Sequence, residues 1–245
     1  MKAKKSKILT ISVIALLVAV AIVMATLAWF TDTDEADNIF TIGDVSIALH
    51  DENPALPTAT DPCGTDFTQS QTLLPIVNTA NPAADANYIG KVVHVENTGA
   101  NEAYVRVFVA VPAALADVLH CDFNTTDWTR GDALTAAIDG VNYKVYPFTY
   151  KTALAKDAIT ENVLSGVYLD AKVDIKDNGG KQQLCTAKED GSYTFYDFDI
   201  NDLRKLVIPV AAQAVQADGF TEGAVKAVDA AFPLNPWASV VTATN

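Results

Sequence analysis

Four lysines, Lys2, Lys4, Lys5 and Lys7, stand in front of a largely apolar run from Ile8 to Ala28, and the first acidic residue of the chain is Asp32. A basic start, an apolar stretch and a small-residue exit make up a secretory signal, so the chain is organised for export. The run is longer than the roughly 7 to 15 residues of an ordinary signal core and close to the roughly 20 that span a bilayer as a helix. Two fates are therefore open: cleavage between Ala28 and Trp29, which removes residues 1–28, or retention of that segment as an anchor. The small residue Ala28 favours cleavage, as does the polar TDTDEADN stretch that follows with no basic stop-transfer cluster.

Removing the leader takes the formal charge from −13 to −17 over the remaining 217 residues. That length suits one sizeable domain with a substantial core. Nucleic acid and anionic membrane surfaces are poor partners for such an acidic chain, because phosphate recognition needs Lys and Arg. Solubility is the plain reading of the charge; cation binding or self-association through neutralised carboxylates is the sharper one. Cys63, Cys121 and Cys185 lie far apart with no C-x-x-C pair, which rules out a clustered zinc knuckle. One disulfide with a spare thiol, a link between subunits, and three plain covered thiols all remain open.

Beyond the leader the pattern is that of strands and turns. Phe40 and Ile42, then Val45, Ile47 and Leu49, alternate around Gly43 and predict a half-buried strand with a bulge. Residues 50–87 carry Pro54, Pro57, Pro62, Pro75 and Pro82, so they read as loops with one short strand over 72–77. KVVHVEN and AYVRVFVAV flank NTGANE and predict a hairpin; its second strand, apolar on both faces apart from Arg106, predicts a central position. Pro112 predicts the start of a short helix over AALADVLH, and CDFNTTDWTRGD predicts a loop in which Asn124-Thr125-Thr126 fits a glycosylation acceptor. Residues 141–150 predict a strand placed at a sheet edge by Pro147. Further strands fall at 166–175, 193–200 and 205–214, with turns at 177–181 and 188–192. Thr221 as an N-cap, with Phe220 and Val225 as a staple, predicts a helix ending before Pro233. About eight short strands and two or three small helices amount to a mainly-β, antiparallel β-sandwich.

The search for chemistry returns no catalytic residue, no metal site and no cofactor. His50, His94 and His120 form no H-E-x-x-H, and His50-Asp51-Glu52 reads as the end of a strand running into a loop. His94, flanked by Val93 and Val95, is the best placed of the three for a metal or pH role. No G-x-S-x-G elbow occurs, and Asp32, Asp34, Glu35 and Asp37 lack the glycine and terminal glutamate of a calcium loop, so they read as a solvated charge run.

Three stretches carry a family likeness. AWFTDTDEADNIFTIGDVSIAL joins a small residue, an aromatic pair and an Asp-rich linker to a strand with Phe40, Thr41, Gly43 and Ile47; VVHVENTGANEAYVRVFVAVP and AVQADGF follow in order. Together they resemble the TasA/camelysin family of secreted bacterial matrix-fibre proteins, which a dedicated signal peptidase processes; residues 113–200 carry no such likeness. The resemblance implies a jelly-roll sandwich over 41–245, preceded by a cleavable hydrophobic helix, and a structural role without enzymatic activity. In that role cleavage frees a mobile donor segment, 29–40, whose strand completes the sheet of another copy, with Trp29, Phe30, Ile39 and Phe40 seated in grooves. Head-to-tail addition of this kind gives a homopolymeric fibre, with other matrix proteins as further partners. The linker acids would repel an acidic neighbour, so stronger assembly is expected at low pH or with divalent cations. The competing readings are a membrane-anchored monomeric adhesin and, carried only by the family's camelysin label, a secreted metalloprotease.

Overall fold

The computed structural model describes residues 31–35, 45–53, 65–66, 73–199, 206–232 and 234–237. The leader, the cleavage pair Ala28 and Trp29, and the donor residues Phe30, Ile39 and Phe40 lie outside them. Fourteen strands are described and all named pairings are antiparallel. One sheet runs in the order β1 (Thr31–Glu35), β14 (Val210–Gln216), β5 (Ala103–Pro112), β9 (Val141–Tyr150) and β7 (Trp128–Arg130), with β8 (Leu134–Ile138) also on β9. A second runs β3 (Thr65–Asp66), β2 (Ile47–Asn53), β4 (Ile89–Asn97), β10 (Leu164–Leu169) and β6 (Leu119–Phe123). A third is the meander β11 (Val173–Asn178), β12 (Lys181–Ala187) and β13 (Tyr193–Asp199). The protein is thus mainly β.

The first two sheets face each other across one core. Val105, Val107, Val109 and Val111 of β5 and Ala212 and Ala214 of β14 meet Ile47, Val93 and Val95 of the opposite sheet. Strict alternation of β-branched residues puts every other side chain on that face. The reverse face of β5 is covered too, as its composition predicts: Phe108 and Ala110 pack with Trp237, and the helix α1 (Ala224–Ala231) lies over Val215.

Arg106 is the polar exception on that covered face. It is 2% exposed, its Nε donates to the Thr149 hydroxyl at 3.4 Å, and its guanidinium pairs with Asp229 of α1. Cutting one partner of such a pair costs more than removing both, since a lone buried charge keeps its desolvation penalty. Because Asp229 is 46% exposed, solvent screens the pair and the cost is discounted. Asp229→Ala is expected to destabilise by about 1–2 kcal/mol. Adding Arg106→Met should recover part of that loss in denaturant melts; a double variant as unstable as the two single losses combined would contradict the argument.

Several expectations need correcting. The segments flanking NTGANE are not a hairpin: β4 lies in one sheet and β5 in the other. The loop turns a corner because Thr98 and Gly99 donate their N–H groups to Ser46 and the Asn97 amide donates to Leu154 and Asn101 carbonyls. Strand β9 is not an edge strand, as it has β5 on one side and β7 and β8 on the other. Pro147 is tolerated because its carbonyl accepts from Gly131 at 2.9 Å, so its ring nitrogen faces the gap between β7 and β8 rather than β5. Gly131 has no Cβ to collide with that ring; one would stand 3.1 Å from Pro147 Cγ.

AALADVLH holds a single 3-10 turn, Ala113–Leu115, before β6 begins at Leu119, since Leu119, Cys121 and Phe123 alternate onto the core and pairing with β10 outweighs a short helix. The CDFNTTDWTRGD stretch contains the end of β6 and all of β7. At its centre Asn124 holds a turn, accepting from the Thr126 and Asp127 main chain and donating to the Asp127 carboxylate. Of the strand expected over 72–77, the described residues 73–77 contribute one isolated bridge, Pro75 to Leu169. The 166–175 strand is two strands, broken where the Asp170 carboxylate caps the Lys172 N–H at 2.8 Å. The strand placed at 205–214 begins later, at Val210, and runs to Gln216. Helix α1 starts at Ala224 after Gly223, whose φ of 90° needs glycine, so Thr221 is not the cap; Phe220 packs near Val228 while Val225 is exposed. The 177–181 turn is as expected, with Gly179 and Gly180 both at positive φ.

Candidate functional site

The pairing of β2 with β4 brings together what the sequence keeps apart. His50 stands opposite His94 and Glu52 opposite Val92, so His50, Glu52, His94 and Glu96 share one face, while Ile47, Val93 and Val95 supply the core on the other. His50-Asp51-Glu52 is therefore strand, not loop, because β4 pairs with β2 as far as Glu52 and β3 pairs with Glu52 and Asn53.

The two imidazole rings stack with centroids 4.7 Å apart and planes 12° from parallel. His50 bridges two carboxylates: Nδ1 lies 3.5 Å from Glu52 Oε1 and Nε2 lies 3.3 Å from Glu96 Oε2. Glu52 is 1% exposed and His94 3%, whereas His50 opens to solvent. One ligand-type atom from each of His50, Glu52 and His94 falls within 4.8 Å of the others. On the core side Lys91, itself buried, pairs with Asp51.

Farther along the same sheet lies a second polar cluster. Gly166 has no side chain, and Tyr88 lies in the space: a Cβ there would stand 2.2 Å from Tyr88 Cζ. The Tyr88 hydroxyl donates to Asp122 at 3.1 Å, and burial together with that carboxylate holds the phenol proton well above the usual tyrosine pKa. The Tyr168 ring stacks on Tyr88 and on His120, and His120 lies 3.4 Å from Asp170. The main-chain N–H of Lys172, then His120, hold the Asp170 carboxyl below its ordinary range.

Cys121 and Cys185 are both free thiols, so no disulfide joins them, and Cys63 lies outside the described residues. Burial pushes the Cys121 thiol up to about 12 from an ordinary 9. At pH 8 that shift lowers the reactive thiolate fraction roughly a thousandfold, and Cys121 should label with a maleimide correspondingly slower than a free cysteine. The folded protein keeps this proton where the unfolded chain gives it up. Its contribution to stability is therefore full below pH 9 and lost as pH rises from 9 toward 12. Labelling of native protein at the rate of the unfolded chain would contradict the burial.

Of the donor segment, Thr31–Glu35 are described, and they form β1, antiparallel to β14 of the same chain, with Asp32 opposite Ala214 and Asp34 opposite Ala212. There five residues find main-chain partners on the β14 edge. Sequence reasoning missed the grouping of His50 and Glu52 with His94; H-x-E at strand spacing was the available signal.

Among the described residues no helix is long and apolar enough to cross a membrane. No protein-family model matches the chain, and no curated protein matches it.

Proposed function

We propose that the protein is a secreted structural subunit that polymerises into extracellular, biofilm-matrix fibres by strand donation between copies, on a sandwich of jelly-roll type. The observation that carries the reading is β1: an N-terminal strand, joined to β2 by residues 36–46, that occupies the outer edge of the six-stranded sheet. A strand held by one neighbour at a sheet edge can be exchanged for the same strand of another copy, and repeated exchange in one direction gives a filament. The signal-like leader and the three ordered landmarks shared with the TasA/camelysin family support the same reading. No catalytic role enters it.

A membrane-anchored monomeric adhesin is the competing reading, favoured by the closed pairing of β1 on its own β14 edge. Size measurement and electron microscopy of a chain beginning at Trp29 separate the two. Filaments that lengthen with protein concentration are expected; a monomer at every concentration, at neutral and low pH and with added divalent cations, would reject the fibre reading.

A further inference from the structure

We propose that His50, Glu52 and His94 form a binding site for one divalent transition-metal ion of the zinc type, with Glu96 as the residue that orients His50. The site is independent of the fibre reading.

Geometry argues first. An ion with ligand bonds of about 2.1 Å and tetrahedral angles sets neighbouring donor atoms roughly 3.4 Å apart. His50 Nδ1 and Glu52 Oε1 stand at 3.5 Å, too long for a strong hydrogen bond and close to that spacing. The whole three-residue set lies within 4.8 Å, so side-chain rotation of about an ångström completes it. The second argument is orientation. With Nδ1 on the ion, the other nitrogen of His50 carries the proton, and Glu96 Oε2 lies 3.3 Å away to accept it. A metal-bound imidazole that donates its remaining N–H to a carboxylate is the usual supporting arrangement.

Donor chemistry selects the ion. Two imidazoles and one carboxylate suit zinc, copper or nickel; calcium and magnesium want six or more oxygens and find one protein carboxylate in this set. Rigidity adds to affinity, since His50 and His94 are held opposite each other by the β2–β4 ladder and Glu52 follows His50 at the two-residue spacing of one strand face. Three protein ligands leave a fourth position for water. A bound ion would tie β2 to β4 and raise stability with its concentration.

The test is zinc titration of the chelator-treated full chain, by calorimetry and thermal melting, with cobalt as a spectroscopic stand-in. One ion per chain, a rise in melting temperature with zinc and not with calcium, and visible cobalt bands of tetrahedral type are expected. His50→Ala, at the more exposed position, should weaken binding at least about a hundredfold, and Glu96→Gln about tenfold. His94→Ala should abolish the cobalt bands; if that variant does not fold, His50→Ala alone decides. Zinc affinity unchanged in His50→Ala, or equal stabilisation by calcium and zinc, would overturn the proposal. Since none of these readouts involves polymerisation, a failure here leaves the fibre reading standing, and filaments without zinc binding leave it intact.

Discussion

Tying β1 to its own sheet with the pair Asp34→Cys and Ala212→Cys is expected to hold the oxidised protein as a monomer and to release filament growth on reduction. These two residues face each other in the β1–β14 register, and directly opposed positions lie within reach of a disulfide. Cys121 and Cys185 compete weakly, because burial raises the pKa of both thiols above the ordinary value and keeps them protonated. The energetics explain why the lock should act so strongly. Exchanging a strand from its own edge to an identical edge on a neighbour swaps the same five main-chain partners, so those bonds favour neither state. What differs is concentration: a tethered strand meets its own edge at an effective millimolar level. At micromolar protein the closed form is ahead by about a thousandfold, or about 4 kcal/mol. Growth therefore needs contacts that only the donated form makes, and a covalent closure removes access to them altogether. Equal filament yield with and without reductant would mean that β1 stays home during assembly, and donation would have to be abandoned as the mechanism. The parent chain without the two introduced cysteines, measured alongside, separates this from a general effect of the reductant.

Much of the fold was legible where the physics is local. The valines of β5 on one face, with Phe108 and Ala110 on the other, announced a strand covered on both sides, and the paired glycines at 179 and 180 announced a two-residue turn. Asp139-Gly140, with φ of 49° and 80° between β8 and β9, carries the same kind of signal. What failed was non-local. NTGANE has the composition of a hairpin loop, and only Ser46 and Leu154, distant in sequence, turn it into a corner between sheets. Pro147 reads as an edge residue until Gly131 is seen to leave room beside it. The candidate site failed for the same reason: His50 and Glu52 acquire a meaning only through a register that sets them beside His94, and no local pattern fixes which strand pairs with which.

That non-local pairing also decides where the molecule is most sensitive, and Phe148→Ala is expected to cost about 3–5 kcal/mol. Phe148 is fully buried on β9, opposite Val107 of β5 in its own sheet, and its ring centroid lies 4.7 Å from that of Phe123 on β6 of the facing sheet. Removing the ring deletes a contact between the two layers and opens a cavity that β-sheets, held by their ladders, close poorly. The loss is a sizeable part of the roughly 5–15 kcal/mol by which a domain is typically stable, so the variant should lose about a fifth or more of its folding free energy. Phe148→Leu keeps most of the volume and should cost under about 2 kcal/mol. Urea melts of both variants check the order: similar losses for Ala and Leu would mean that the site relaxes freely, and that the two sheets are not locked together through this residue. The same melts bear on assembly. Strand exchange at β1 requires the rest of the sandwich to stay closed while its edge opens, so Phe148→Ala should favour amorphous aggregates over ordered filaments.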